Sequence, residues 1–289
     1  MLVQASPQQI LAAVRTARRA GKIVGCIPTM GALHEGHASL IHMARRECGF
    51  VVATIFVNPT QFGPNEDFNR YPRTLEADLE ICHAAGADLV FTPSVADMYT
   101  PDAETIVRVT QLSTTFEGAH RPGHFDGVTT VVSKLFLITE PDYAYFGQKD
   151  FQQQLIIRRM VRDLNFPVQI VTCPIIREPD GLAMSSRNRY LSPVERETAR
   201  ALSQALAMAE KLARNPSQTP QSVEQQLQQQ LANIPGMELQ YAAVVHPETL
   251  MPLSHSPRNT PAVALIAARV GSTRLLDNQL LDFSETAFH

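Results

Sequence analysis

Nothing in this 289-residue sequence is apolar for long enough to cross a bilayer. The longest such run, Phe50–Val57, falls far short of the ~20 residues that a spanning helix needs. No secretory leader is expected either: Arg15, Arg18 and Arg19 interrupt the N-terminal segment where an uninterrupted apolar core would be required. Charge of one sign is absent too. The balance is 25 Lys and Arg against 28 Asp and Glu, a net charge of −3. That gives no overall basic field of the kind nucleic-acid binding rests on. The four cysteines, Cys26, Cys48, Cys82 and Cys173, are far apart, with no C-x-x-C and no Cys/His cluster. Neither a structural zinc nor a disulfide framework is indicated. This usage fits a reducing cytoplasm, so the chain reads as a cytoplasmic protein with no membrane and no nucleic-acid partner. There is no internal repeat.

What is present is a chain with 44% hydrophobic residues, long enough for one large or two moderate domains. An apolar stretch at Lys22–Ile27 predicts a buried strand. His37–Cys48, with Leu40, Ile41 and Ala44 on one face, predicts a helix. A second strand is expected over Phe50–Val57. Strand, helix and strand make a βαβ unit, so the fold class is α/β, a Rossmann-like parallel sheet with helices on both faces. Further helices are expected over 7–20, 73–85, 128–139, from 150 to Leu164, 193–213 and 222–231. Strands are expected over 88–91, 105–110, 143–146, 168–176, 238–245, 262–270 and 272–276, and loops over 92–104 and 117–127. Composition shifts near residue 193, and the segment beyond it is poor in catalytic groups. It reads as a smaller C-terminal α+β domain covering the site, with domains at 1–177 and 178–289.

Three stretches carry the chemistry. Pro28–His37 is a strand-to-helix turn containing Met30, Gly31, Ala32, Leu33, His34, Glu35, Gly36 and His37. Its glycines allow tight bending. A helix N-terminus offers amides and partial positive charge to an anion such as phosphate, and two imidazoles three residues apart can face the same anion. Gly147, Gln148, Lys149 and Asp150 form a second strand–turn–helix site. A lysine there opposes the helix dipole, which an anionic ligand explains better than helix stability; the bland alternative is a solvated lysine. Asp150 suits a cap equally well, and Gln153 shares its face. Met184, Ser185, Ser186 and Arg187 lie on a glycine-containing loop whose hydroxyls and guanidinium can wrap a triphosphate. Asn58 and Gln61 leave the end of a strand, where ligands of open α/β sheets sit, and offer uncharged donors and acceptors to a hydroxylated substrate. A turn-rich polar loop is the plain alternative. Arg121 and His124, in a segment with three glycines, read either as surface loop or as a lid over phosphate.

The His-x-Gly-His turn resembles the HIGH signature of the adenylyl-transferring superfamily, and Met184–Arg187 resembles its KMSKS loop. Together with Phe56–Pro59, Gln61–Phe62, Tyr71–Thr74, Arg121–Phe125, Phe146–Asp150 and Gly181–Asn188, these blocks look like the pantothenate synthetase family, in its order and over nearly the whole chain. The resemblance implies an AMP-forming ligase that joins pantoate to β-alanine through pantoyl adenylate. It implies ATP as substrate, Mg²⁺ and a homodimer. ATP contacts would fall on Met30–His37, Gly147–Asp150, Ile176 and Met184–Arg187, with His37, His34 and Lys149 catalytic. Pantoate contacts would fall on Gln61 and Gln153, with Gln61 also near β-alanine. No direct protein ligand of the metal is expected, because Mg²⁺ is commonly held mainly by phosphate oxygens. The rivals are a nucleotidylyltransferase acting on a phosphorylated small molecule, and a catalytically dead nucleotide sensor. The first would want more basic groups than the neutral Asn58/Gln61 pocket supplies, and the second would have no use for the His pair and the lysine.

Overall fold

The computed structural model describes residues 1–64, 66–253 and 260–283. The chain divides into two compact units, Met1–Pro174 and Ile175–His289.

The first unit runs β1 (Leu2–Gln4), α1 (Pro7–Arg19), β2 (Val24–Thr29), α2 (Glu35–Glu47), β3 (Phe50–Ile55), α3 (Leu75–Ala85), β4 (Leu89–Phe91), α4 (Val95–Met98), α5 (Glu117–His120), α6 (His124–Thr139), β5 (Tyr143–Gly147), α7 (Phe151–Asp163) and β6 (Gln169–Cys173). Its sheet has the order β1-β4-β3-β2-β5-β6, and every pair is parallel. Buried parallel strands need apolar side chains on both faces. Val24, Cys26, Ile27, Val51, Val52 and Ala53 supply them, all fully buried.

From β2 the chain proceeds outward to β3 and β4, and from β5 outward the other way to β6. The sheet's topological switch point therefore lies between β2 and β5, where open α/β folds bind ligands. The β2–β5 ladder is confined to Gly25–Tyr143 and Cys26–Ala144, although both strands continue for three more residues. Pro28 accounts for the parting. On β2 the carbonyls of Ile23 and Thr29 accept from Phe50 and Phe56 on the β3 side, while Val24 accepts from Asp142 on the β5 side. Pro28, in register with Val24, faces β5 and has no N–H to donate. The central strands part at their carboxyl ends, the position at which open α/β sheets form a ligand crevice.

The second unit comprises α8 (Pro193–Ala213), α9 (Pro220–Ala232) and an antiparallel sheet β7-β8-β9 (Met237–Val245, Ala262–Val270, Thr273–Leu281). Pro193 at the first turn and a Ser192–Glu195 capping box fix the start of α8. Leu202, Leu206, Val223, Leu227, Ala264 and Ile266 form its core.

Several sequence expectations shift. The helix expected from His37 starts at Glu35, because His34 caps it. The strand expected over 168–176 ends at Cys173, before Pro174. The loop expected over 92–104 contains α4, started by a Ser94–Asp97 capping box. The loop expected over 117–127 is largely helical. It holds α5 and the first turn of α6, whose His124 and Phe125 are buried. The strand expected over 105–110 joins no ladder among the described residues. Three-residue β1, an exposed edge, escaped the sequence reading.

Candidate active site

The turn after β2 is built by a buried carboxylate. Gly31 and Ala32 both have positive φ, +81° and +51°. The Ala32 amide donates to Asp78 Oδ2 at 3.0 Å and the Leu33 amide to Asp78 Oδ1 at 2.8 Å. Thr74 Oγ1 adds a third bond at 3.1 Å. Asp78 is only 2% exposed. A Cβ on Gly31 would lie 2.9 Å from Asp78 Oδ2, so glycine is needed here for space as well as for conformation.

The rest of the turn is closed by the two histidines. The Gly36 amide donates to His34 Nδ1 at 3.2 Å, and the His34 amide donates to His37 Nδ1 at 3.3 Å. The rings lie 4.1 Å apart, centroid to centroid. Since each Nδ1 accepts a bond, each neutral ring carries its proton on Nε2. The Gly31 amide is held as well, by Thr29 Oγ1 at 3.2 Å. The expectation that this helix start offers free amides to phosphate is therefore corrected. The amides of Gly31 to His34 and of Gly36 are engaged within the protein.

Burial, above all, and then the neighbouring His34 pull the His37 pKa down to about 3; Asp150 opposes this and Lys149 adds to it. These last two influences place His37 within electrostatic reach of the turn after β5. There Lys149 Nζ lies 3.7 Å from Asp150 Oδ1. Asp150 precedes α7 but makes no side-chain cap bond. A Cβ on Gly147 would meet nothing within 4 Å, so this glycine faces open space at the crevice. The histidine turn and the lysine turn thus leave the splayed ends of adjacent strands.

Gln61 joins this group through Met30: its Nε2 donates to the Met30 sulfur at 2.9 Å. Asn58 sits behind it, 1% exposed. Its Nδ2 donates to Gln61 Oε1 and to the Gly127 carbonyl, each at 3.1 Å. Its Oδ1 accepts from Tyr99 Oη at 2.9 Å and from Thr60. Asn58, expected to meet substrate, has its amide committed to the protein and orients Gln61. Gly127 makes the arrangement possible, since a Cβ there would lie 2.5 Å from the Thr60 carbonyl oxygen. Arg121 and His124, read as a possible lid, brace the same segment: His124 Nδ1 lies 2.8 Å from the Gln61 carbonyl oxygen, and Arg121 pairs with Glu66.

Of three consecutive glutamines on α7, Gln152 is tied to Glu117, Leu112 and Thr115, and Gln154 to Thr172. Half-buried Gln153 between them has no hydrogen-bond partner among the described residues. Glu35 is exposed. Ile176, Met184, Ser185, Ser186 and Arg187 belong to the second unit. There the Met184 amide donates to the Ile176 carbonyl at 2.9 Å and the Arg187 amide to Ser185 Oγ at 3.3 Å. Arg177 pairs with buried Asp277 at 2.7 Å and steadies this loop. Among the described residues, no group of three or more His, Cys, Asp or Glu side chains is placed to hold a metal ion, and no helix is long and apolar enough to cross a membrane.

Asp78, Gly127 and Tyr99 were missed by sequence reasoning. Asp78 had left a signal: it shares a helical face with Cys82 and Ala85, both buried, so a carboxylate stood on the apolar side of α3.

The family model for pantoate–β-alanine ligase matches residues 3–280. The chain belongs to the pantoate–β-alanine ligase family. It is 52% identical over 283 residues to a pantothenate synthetase from Rubrobacter xylanophilus, covering 96% of this chain and 97% of that one. It is also 52% identical over 265 residues to one from Acidobacterium capsulatum, covering 92% and 88% respectively. The crystal structure of pantothenate synthetase from Thermus thermophilus superposes with a TM-score of 0.90 at 46% identity, over 96% of this chain and 99% of that one. A pantoate–β-alanine ligase from Francisella tularensis, complexed with beta-gamma ATP and beta-alanine, gives a TM-score of 0.78 at 33% identity, over 97% of each chain. The parallel sheet with its helices and the small antiparallel domain are thus the architecture of pantoate–β-alanine ligases, a family of enzymes.

Two histidines kept neutral make stability pH-dependent. His37 is held near pKa 3 and His124 near 4, against 6.5 unperturbed, burial being the first cause in each. Below pH 6.5 the unfolded chain therefore binds more protons than the folded one, so stability falls as pH drops through that window. The urea midpoint is expected to decrease from pH 7 to pH 4.5, and to decrease less in His37→Gln. Equal slopes for the two proteins would contradict the assigned neutral state.

Proposed function

We propose that this protein is a pantoate–β-alanine ligase, acting in the cytoplasm as a homodimer, that uses ATP to form pantoyl adenylate and then pantothenate. The observation that carries the reading is the pair of neutral, Nδ1-anchored imidazoles with Lys149 and Asp150 at the parted ends of β2 and β5.

A carboxylate is a poor acyl donor to an amine in water, so it is first converted to a mixed anhydride. A pantoate carboxylate oxygen attacks the α-phosphorus of ATP, and the bond to the β-bridging oxygen breaks, releasing pyrophosphate. Negative charge builds on the phosphoryl and bridging oxygens. The Nε2–H groups of His34 and His37 and the ammonium of Lys149 meet that charge from fixed positions, which is electrostatic preorganisation rather than covalent catalysis. His37 acts as a neutral hydrogen-bond donor, since protonating Nδ1 would break its bond to the His34 amide. The β-alanine amine then attacks the acyl carbon, and AMP leaves. Gln61 and Gln153 receive the hydroxyls and carboxylate of pantoate. Asp150, beside Lys149, would be the protein carboxylate to hold Mg²⁺ bound with the triphosphate, and the ion would supply positive charge to offset the phosphates.

Release of AMP is expected only when pantoate, β-alanine and ATP are all present, and pyrophosphate is expected from pantoate and ATP alone. Pyrophosphate release that depended on a phosphorylated substrate and ignored pantoate would favour a nucleotidylyltransferase. Gln153→Ala should raise the KM for pantoate about tenfold or more, as for loss of a hydrogen bond to a polar substrate. Thermal stability should be unchanged, because that amide supports nothing else. A lowered melting temperature with an unchanged KM would show a structural role instead.

A further inference from the structure

The polar chain behind Gln61 runs in one direction, and it starts at Tyr99. Two backbone groups fix which way the buried Asn58 amide points. The Thr60 N–H donates to its Oδ1 at 3.3 Å, and its Nδ2 donates to the Gly127 carbonyl at 3.1 Å. A reversed amide would set N–H against N–H and C=O against C=O. The Asn58 atom that faces Tyr99 is therefore an acceptor, and the phenol donates to it at 2.9 Å. Burial raises the Tyr99 pKa, so the phenol keeps that proton at neutral pH. Asn58 in turn donates to Gln61 Oε1 at 3.1 Å, which leaves Gln61 Nε2 to donate to the Met30 sulfur. Among the described residues, each end of the Gln61 amide then keeps one open position, a lone pair on Oε1 and an N–H on Nε2. A hydroxy acid matches that pair, since its hydroxyl donates and its carboxylate accepts.

Tyr99 is delivered to this place by α4. A Ser94–Asp97 capping box starts the helix, buried Met98 anchors it, and the Tyr99 N–H closes it on the Val95 carbonyl at 2.8 Å. The ring is held by two further side chains. Phe56 lies 6.4 Å away, centroid to centroid, and Lys134 Nζ of α6 stands 5.7 Å from the Tyr99 centroid. We propose that Tyr99 is a positioning residue for pantoate: its hydroxyl, through Asn58, holds the Gln61 amide with one donor and one acceptor toward the hydroxy acid. This rests on the reading above, in which Gln61 receives pantoate, and extends it to a side chain that acts through two others. Hydrogen bonds in series polarise one another, so the phenol sets the strength of the Gln61 contacts as well as their direction.

The test is a double-mutant cycle on the full chain, read as single-turnover pyrophosphate release from ATP and pantoate with protein in excess. Tyr99→Phe deletes one oxygen and keeps the ring against Phe56 and Lys134. It should raise the half-saturating pantoate concentration about tenfold, as for one weakened hydrogen bond to a polar substrate. ATP saturation and the melting temperature should be unchanged, because Asn58 Oδ1 still accepts from the Thr60 N–H and hydroxyl. In a Gln61→Ala background the same change should add less than about twofold, since the amide it orients is gone. A second readout needs no Gln61 variant. The preference for pantoate over the analogue lacking the hydroxyl next to its carboxylate should shrink about tenfold in Tyr99→Phe. Equal effects of Tyr99→Phe with and without Gln61, or an unchanged preference between the two acids, would overturn the proposal. Pyrophosphate release that ignored pantoate in wild type would remove the reading above and this proposal with it. A pantoate-dependent wild type beside a Tyr99→Phe protein of unaltered pantoate dependence would overturn this proposal alone.

Discussion

Alanine at His37 or at Lys149 is expected to lower the rate of AMP formation by about 10²–10³-fold, with the fold intact; that is the usual cost of one preorganised donor. The two positions reach this result differently. His37 Nδ1 also accepts the His34 amide at 3.3 Å, so His37→Ala leaves that amide without its acceptor and loosens the turn slightly. Lys149 is on the short turn before α7, 21% exposed along its side chain, and its removal should leave the melting temperature within about a degree, as for a surface substitution. Burial keeps the His37 pKa at about 3, so wild-type turnover should show no ionisation of this imidazole between pH 5 and 8. Steady-state AMP release across that range, for wild type and both variants, measures the two effects together. Near-normal rates in both variants would contradict the site.

Asp78→Ala should cost more in folding than either of those changes. Its two oxygens hold the Ala32 and Leu33 amides at 3.0 and 2.8 Å in a nearly solvent-free position. Each amide left unsatisfied costs about 1–3 kcal/mol, so the expected loss is about 2–6 kcal/mol, large against a typical stability of about 5–15 kcal/mol. Activity should fall with it, because Gly31 and Ala32 keep positive φ values of +81° and +51° only while the turn is clamped. Urea unfolding gives the first quantity, and AMP release from the remaining folded protein gives the second. A stable, active Asp78→Ala protein would mean that the turn holds its shape without the carboxylate.

The parallel-sheet half was legible because its signals are local. A buried β-branched run, a glycine turn and an amphipathic helix occur within 25 residues of one another, and the βαβ reading of a parallel sheet follows from their order. The sites of His34, His37 and Lys149 at strand ends were legible for the same reason. What sequence could not supply was the partner of each polar group. The His turn looked like a row of open amides until Asp78, more than 40 residues away, and the two Nδ1 atoms were found to engage them. Asn58 and Gln61 looked equivalent, yet one is locked to Gly127 and Tyr99 while the other bonds Met30. The 117–127 segment looked like a loop because its glycines and proline discourage helix. Tertiary burial of His124 and Phe125 overrides that propensity. The Thr105–Thr110 segment was misread differently: its alternation is that of a strand, but a strand forms only where another strand lies beside it.

The most direct measurement is a crystal structure of the protein with a non-hydrolysable ATP analogue and pantoate. The triphosphate is expected in the crevice between β2 and β5, with its oxygens within hydrogen-bonding distance of His37 Nε2 and Lys149 Nζ and the pantoate at Gln61 and Gln153. A nucleotide bound away from both the imidazole and the ammonium would contradict the account.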